Sequence, residues 1–256
     1  MENNFRKEDN LMIHKTVSFY FEKTRSFVGD DKNPTIHLIQ NLDKIVKYQK
    51  KVFDFFEIEI EQVNAEKYVL HNHSESITNY INSLENWDSI SIFDLDSIPT
   101  RPDAISDAIE KISSGYTIYG NAQASQNQIP FAAPNFLNFT REVWEKTREI
   151  WNSNKNLKRD IFRYEETLIE GKKHVVDVGE RFSIEHRKNG ANIILAYPVH
   201  NDGVPEWEYN ASGEYPRFQW GNGTWFESGT FHGTEIRYEH KQKYFFDACE
   251  RILRNG

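Results

Sequence analysis

The stretch S-I-S-I-F-D-L-D-S-I-P-T-R-P-D, residues 89–103, decides how the chain is read. A short apolar run ends on two aspartates, Asp94 and Asp96, one residue apart. Ionised carboxylates are costly at the edge of a core unless something offsets their charge. In extended chain, side chains at i and i+2 point the same way, so both aspartates share a side and Leu95 between them faces the core. Residues 89–93 read as a strand. R-P-D-A-I-S-D-A-I-E-K-I-S-S-G, from Arg101, reads as a helix, with Pro102 near its start and Gly115 near its stop. A strand ends, two carboxylates are presented, and a helix carries the chain away.

Working outward, the same logic assigns the neighbours. K-T-V-S-F-Y-F, residues 15–21, is rich in β-branched and aromatic residues and reads as a first strand. From Pro34, a helix is expected, with Leu38, Leu42, Ile45, Gln49, Val52 and Phe56 at helical spacing. F-E-I-E-I-E-Q-V, from Phe56, alternates apolar and acidic residues and reads as a half-exposed strand. A helix follows with Ser74 as N-cap and Ile77, Tyr80, Ile81 and Leu84 as its buried stripe. Residues 116–122 read as a strand, and Q-A-S-Q-N-Q-I-P-F-A-A-P-N-F, from Gln123, as a long loop. Helices are expected over 140–151, capped by Thr140, and over 157–173. H-V-V-D-V-G, F-S-I-E-H-R and N-I-I-L-A-Y-P-V read as strands, residues 218–240 as a Gly- and aromatic-rich loop, and K-Q-K-Y-F-F-D-A-C-E-R-I-L as a closing helix. Strands alternating with helices predict an α/β chain: a mainly parallel, mixed central sheet in a Rossmann-type α/β/α sandwich. Such sheets bind ligands at the carboxyl ends of their strands, where Asp94 and Asp96 fall.

Bulk properties narrow the function. At 256 residues, the chain fits one large domain and needs neither disulfide nor metal merely to fold. The net charge of −8 argues against nucleic acid, since the densest basic spots, residues 47–51 and 170–174, are short. It does not exclude an anionic substrate, because a divalent cation inverts the local field. Cys249 is the single cysteine, so no intrachain disulfide forms and a reducing compartment is expected. No apolar run approaches the roughly 20 residues of a membrane helix, so no membrane span is expected. The polar first residues do not make a signal peptide, which points to a cytoplasmic location. The four Asn-x-Ser/Thr sequons, at Asn72, Asn138, Asn210 and Asn222, are then chance occurrences.

Three readings of the aspartate pair compete. Hard cations take oxygen ligands, and Mg²⁺ or Mn²⁺ usually pairs one or two carboxylates with phosphate oxygens. A dication held there neutralises a leaving diphosphate. Alternatively, Asp94 is a nucleophile and Asp96 an acid/base, as in phosphatases of the haloacid-dehalogenase kind. Their Asp-x-Asp-x-Thr/Val pattern is met incompletely, because position 98 is Ile, and it usually lies on a first strand. Third, the pair is a plain turn, since Asp favours turns and helix starts and Pro99 and Pro102 follow.

W-D-S-I-S-I-F-D-L-D-S-I-P-T-R-P-D-A-I-S-D-A-I, from Trp87, resembles the metal-binding segment of GT-A-type glycosyltransferases, the nucleotide-diphospho-sugar transferases. V-S-F-Y-F-E-K-T-R-S looks like their first strand and nucleotide-binding loop, and H-N-H-S-E-S-I-T-N-Y-I-N is similar to the segment before the metal strand. G-N-A-Q-A-S-Q-N-Q-I-P-F-A-A-P-N-F-L-N-F-T-R-E-V-W looks like their acceptor-side region, and T-F-H-G-T-E-I-R like the C-terminal segment whose histidine completes the metal site. The resemblance spans roughly residues 15–240, and its specific part is the Asp-x-Asp block.

The resemblance implies a GT-A-like domain over 14–256 behind a polar arm, 1–13, with a nucleotide-binding half at 14–122 and an acceptor half at 123–256. It implies transfer of a sugar from a nucleotide-diphosphate donor to a glycan or other hydroxyl acceptor. Asp94, Asp96 and His232 would hold Mn²⁺ or Mg²⁺, with His200 and His240, then His71 and His73, as other histidines to weigh. Lys23, Arg25 and Arg237 could meet phosphate, and Tyr20 or Phe21 could stack on the base. Glu165 or Glu166 would act as general base if the reaction inverts, with Asp160 and Asp177 as alternatives. Trp220, Trp225 and Phe226 flank a glycine loop and could stack on a sugar. A catalytically inactive sugar-nucleotide or glycan-binding module would keep the same residues without turnover.

Overall fold

The computed structural model describes residues 12–26, 35–67, 73–124, 130–153, 162, 165–169, 172–176, 178–203 and 221–255. Six strands form the main sheet: β1 (His14–Tyr20), β4 (Glu61–Asn64), β5 (Ser89–Asp94), β7 (Thr117–Ala124), β8 (Pro130–Thr140) and β11 (Asn192–Ala196). Their order is β11-β7-β8-β5-β1-β4. Only β8 runs against its neighbours, since β11 is parallel to β7, and β5, β1 and β4 are parallel to one another. The expected mainly parallel, mixed sheet is present.

Alternation along the strands feeds two cores. Ile90 and Ile92 of β5 join Val17, Phe19, Leu137 and Phe139 in one buried cluster. That face is covered by α2 (His73–Ser83), α4 (Arg141–Ser153) and α5 (Glu180–Lys188), through Ile77, Tyr80, Ile81, Val143, Trp144 and Phe182. Phe93 and Phe136 turn into the other cluster, with ring centroids 4.9 Å apart. There α1 (Leu42–Phe55), α3 (Ala104–Ile112) and α6 (Glu239–Asn255) contribute Phe53, Ile45, Ala108, Ile112 and Phe245. Fully burying one such aromatic or aliphatic side chain is worth about 1.5–3 kcal/mol, so these two cores, not single surface ion pairs, carry the fold.

A second, antiparallel sheet is laid beside the first: β6 (Ser97–Pro99), β12 (Pro198–Asp202), β13 (Gly223–Phe226) and β14 (Thr230–Gly233), in the order β12-β13-β14-β6. Among the described residues, two ribbons complete the strands, β2 (Lys23–Ser26) with β3 (Thr35–Leu38), and β9 (Glu165–Ile169) with β10 (Lys172–Val176).

Several sequence expectations are corrected. The helix expected from Pro34 begins only at Leu42, because residues 35–38 pair as β3. The alternating run after Phe56 forms a strand only over 61–64. Ser74 is not the N-cap of α2, which already begins at His73. Thr140 does cap α4: its hydroxyl accepts from the Val143 N–H at 3.4 Å. The supposed loop after Gln123 contains β8, paired on both sides. The helix expected over 157–173 is replaced over 165–169 by a strand that pairs in antiparallel register with residues 172–176, where the strand expected from His174 is present. F-S-I-E-H-R lies in α5, whose buried Phe182, Ser183 and His186 follow helical spacing. Within 218–240, β13 and β14 replace the expected loop. Residues 1–11, the arm apart from its last two residues, lie outside the described ones.

Candidate metal centre

Asp94 is the last residue of β5, where the parallel pairing with β1 ends at Phe19. The chain turns through Leu95 and Asp96 and re-enters as β6. Leu95 is buried in the core shared by α1, α3 and α6, as its place between the aspartates suggested. Asp94 is half-buried and Asp96 buried. Strand β6 then pairs with β14, placing Ser97 opposite His232. The Gly233 N–H donates to the Asp96 carbonyl at 2.8 Å, which locks the two segments side by side. Backbone pairing between distant segments thus sets the third side chain next to the first two.

One ligand atom from each of Asp94, Asp96 and His232 lies within 4.8 Å of the others. His232 Nε2 is 3.4 Å from Asp96 Oδ1, and both side chains are about nine-tenths buried. Burial pulls the His232 pKa down, but the charge of Asp96, its hydrogen bond and the charge of Asp94 outweigh it, and the net shift is upward. The pocket therefore favours positive charge on or beside the imidazole. Two carboxylate oxygens and an imidazole nitrogen form a donor set for a divalent cation.

The segment after His232 carries a second charged group. Glu235 adopts left-handed backbone, φ 56°, uncommon for a non-glycine residue. Its carboxylate holds Arg237 at 2.9 Å and Lys241 at 2.5 Å. Lys241 is buried, and its ammonium lies against that carboxylate. The Arg237 guanidinium also lies over the Tyr238 ring, 5.2 Å from its centroid.

The other residues named from sequence fall in varied places. Tyr20 is half-buried at the end of β1, against the core that contains Leu95, while Phe21 packs on the opposite core. Lys23 and Arg25 lie on β2, and Glu165 and Glu166 on β9, with their side chains outside the described ones. His200 is exposed and paired with Asp202 at 2.9 Å, and His240 stacks on Tyr238 at the start of α6. Neither is in the cluster. His71, Asp160, Asp177 and Trp220 lie outside the described residues, as does the side chain of His73. Trp225 donates to Asp202 at 2.6 Å and carries the Arg251 guanidinium 4.9 Å above its ring, while Phe226 is buried. Sequence reading passed over Gly233, where an added Cβ would sit 3.2 Å from the Phe245 Cβ and 3.6 Å from the Asp96 Cβ. Its signal was its place next to the histidine.

No family model matches the chain, and no curated protein matches it. Among solved structures, it is similar to the catalytic domain of Drosophila β1,4-galactosyltransferase 7 in complex with xylobiose, at 12% identity and a TM-score of 0.41, over 72% of this chain and 65% of that one. It is also similar to a mutant of the Drosophila enzyme in complex with manganese, UDP-Gal and xylobiose, at 12% identity and a TM-score of 0.43, over 90% of this chain and 74% of that one. The chain thus spans less than two thirds of the first of these. Such distant similarity assigns no activity, and the functional reading rests on the residues of the cluster.

Proposed function

We propose that the chain is a metal-dependent glycosyltransferase of the GT-A kind, moving a sugar from a nucleotide-diphosphate donor to a glycan or other hydroxyl acceptor. The observation that carries this reading is the convergence of Asp94, Asp96 and His232 at the carboxyl end of β5. In mainly parallel α/β sheets, that edge is where ligands bind. Bound there, Mn²⁺ or Mg²⁺ would offset the charge that develops on a departing diphosphate.

The protein's own groups take the remaining tasks. The two carboxylates and the imidazole hold the site's geometry, and Leu95 anchors the turn between them in the core. Arg237, in the segment that follows His232, is assigned to the phosphates, and exchange of Glu235 for a phosphate oxygen would free it to act there. Tyr20 or Phe21 is assigned to the nucleobase, with Lys23 and Arg25 on the phosphate side. For an inverting reaction, Glu165 or Glu166 is the general base that takes the acceptor's hydroxyl proton. The polar arm, the two halves divided at residue 122 and a cytoplasmic location belong to the same proposal. Among the described residues, no helix is long and apolar enough to cross a membrane.

Thermal unfolding with UDP or GDP, each with and without Mn²⁺, tests the reading. A ligand at 100 times its Kd stabilises by about 2.7 kcal/mol. Stabilisation by a nucleoside diphosphate only with Mn²⁺, abolished in Asp94→Asn and Asp96→Asn, is the expected result. Equal stabilisation of wild type and both variants contradicts it. Donor hydrolysis by the wild type then separates an enzyme from a binding-only module.

A further inference from the structure

The stripe of α1 that packs on the core contains one polar residue, Gln49, and it is fully buried. Its Nε2 donates to the Asp94 carbonyl and to the Ser97 carbonyl, both at 2.9 Å. Its Oε1 accepts from Gln62 Nε2 on β4 at 2.9 Å, and Gln62 is fixed in turn by donation to the Val46 carbonyl at 2.8 Å. One amide therefore bridges the first and last residues of the turn that presents Asp94 and Asp96. The neighbouring inward positions of α1, Ile45, Val52 and Phe53, are apolar. An apolar side chain at position 49 would fill the space but give neither carbonyl this donor.

We infer that Gln49 is a positioning residue: it fixes the peptide planes that bracket residues 94–97 and so sets the separation and direction of the two carboxylates. The consequence for metal rests on the transferase reading, while the grip on the turn does not. Groups that orient ligands commonly change metal affinity by 10–100-fold when removed.

The test compares wild type, Gln49→Met and Val52→Ala. Val52 lies on the same helix and in the same core, so its truncation reports stability loss while leaving Gln49's hydrogen bonds to the turn in place. Two quantities are read: Mn²⁺ affinity in the presence of UDP, and amide hydrogen exchange of residues 94–98. Gln49→Met is expected to weaken Mn²⁺ binding about tenfold or more and to speed exchange in the turn. Val52→Ala is expected to leave both near wild type. Wild-type affinity and wild-type exchange in Gln49→Met overturn the inference, as do equal changes in Val52→Ala. Faster exchange in Gln49→Met with no Mn²⁺ binding by the wild type upholds the grip on the turn and refutes the metal reading instead. Should Gln49→Met not fold, Gln62→Met removes the bond to Oε1, and the same shifts are expected at smaller size; their absence overturns the inference.

Discussion

At the scale of single residues, His186 shows how burial becomes a pH dependence. The Thr147 hydroxyl donates to the Val143 carbonyl at 3.1 Å, so it accepts from His186 Nε2 at 2.8 Å. That leaves Nδ1, 2.5 Å from the Tyr116 hydroxyl, as an acceptor. The neutral imidazole is satisfied on both nitrogens, and burial lowers its pKa to about 3. Burial also lowers that of His14, to about 4. Above pH 6.5 both groups are neutral folded or unfolded. As pH falls below that value, the unfolded chain takes up protons that the folded chain refuses, so stability declines towards pH 3. Each group contributes a slope of about 1.4 kcal/mol per pH unit. Urea unfolding at pH 7.5 and pH 5 should show this loss, and His186→Gln should flatten it; an unchanged slope in that variant contradicts the assignment. The site residues differ in how far sequence revealed them. The two aspartates were legible because an apolar run, a spacing of two and a following helix are all local. His232 was reached only through a family resemblance, since its place depends on β14 pairing with β6.

At the scale of elements, β8 is the instructive case. It lies between β5 and β7 and is buried along nearly its whole length, so it lacks the alternation that marks a half-exposed strand. Its Ala132, Ala133, Pro134 and Asn135 resemble a loop in composition, yet they fit a crowded crossing. The register with β7 shifts between Gly120 and Asn121, and a Cβ on Gly120 would lie 2.7 Å from the Phe136 carbonyl oxygen and 2.9 Å from the Ala132 Cβ. Gly120→Ala should therefore cost about 1–3 kcal/mol, read as a lower urea midpoint at unchanged slope. Gly190→Ala is the contrast: φ is 89° but nothing lies within 4 Å of the added carbon, so only backbone strain of about 1 kcal/mol is expected. Equal losses would contradict the crowding at β8. The same limit explains β9 and β10, whose pairing is not a property of either segment alone. Glu165 and Glu166 read as helix residues because their neighbours suit a helix, and the hairpin shows only when both strands are seen together.

At the scale of the whole molecule, the sheet divides two cores, and the cluster lies at its edge where β5 passes into the second sheet. Cys249 probes the packing of α6 against the rest: it is fully buried, and burial raises its thiol pKa. An aromatic disulfide reagent should modify it only at the rate of unfolding, and prompt reaction in native buffer would contradict that packing. The α/β class and the parallel core were legible because strand and helix patterns alternate along the first half. The second sheet was not, because its strands are short and its β6 finds its partner, β14, far away in the chain. The central claim is that Asp94, Asp96 and His232 together grip a dication against a diphosphate. Pulsed electron paramagnetic resonance of Mn²⁺ with UDP and ¹⁵N-histidine-labelled protein reads this directly. Coupling to both phosphorus and one histidine nitrogen is expected, with the nitrogen signal lost in His232→Ala; Mn²⁺ that shows neither coupling would contradict the account.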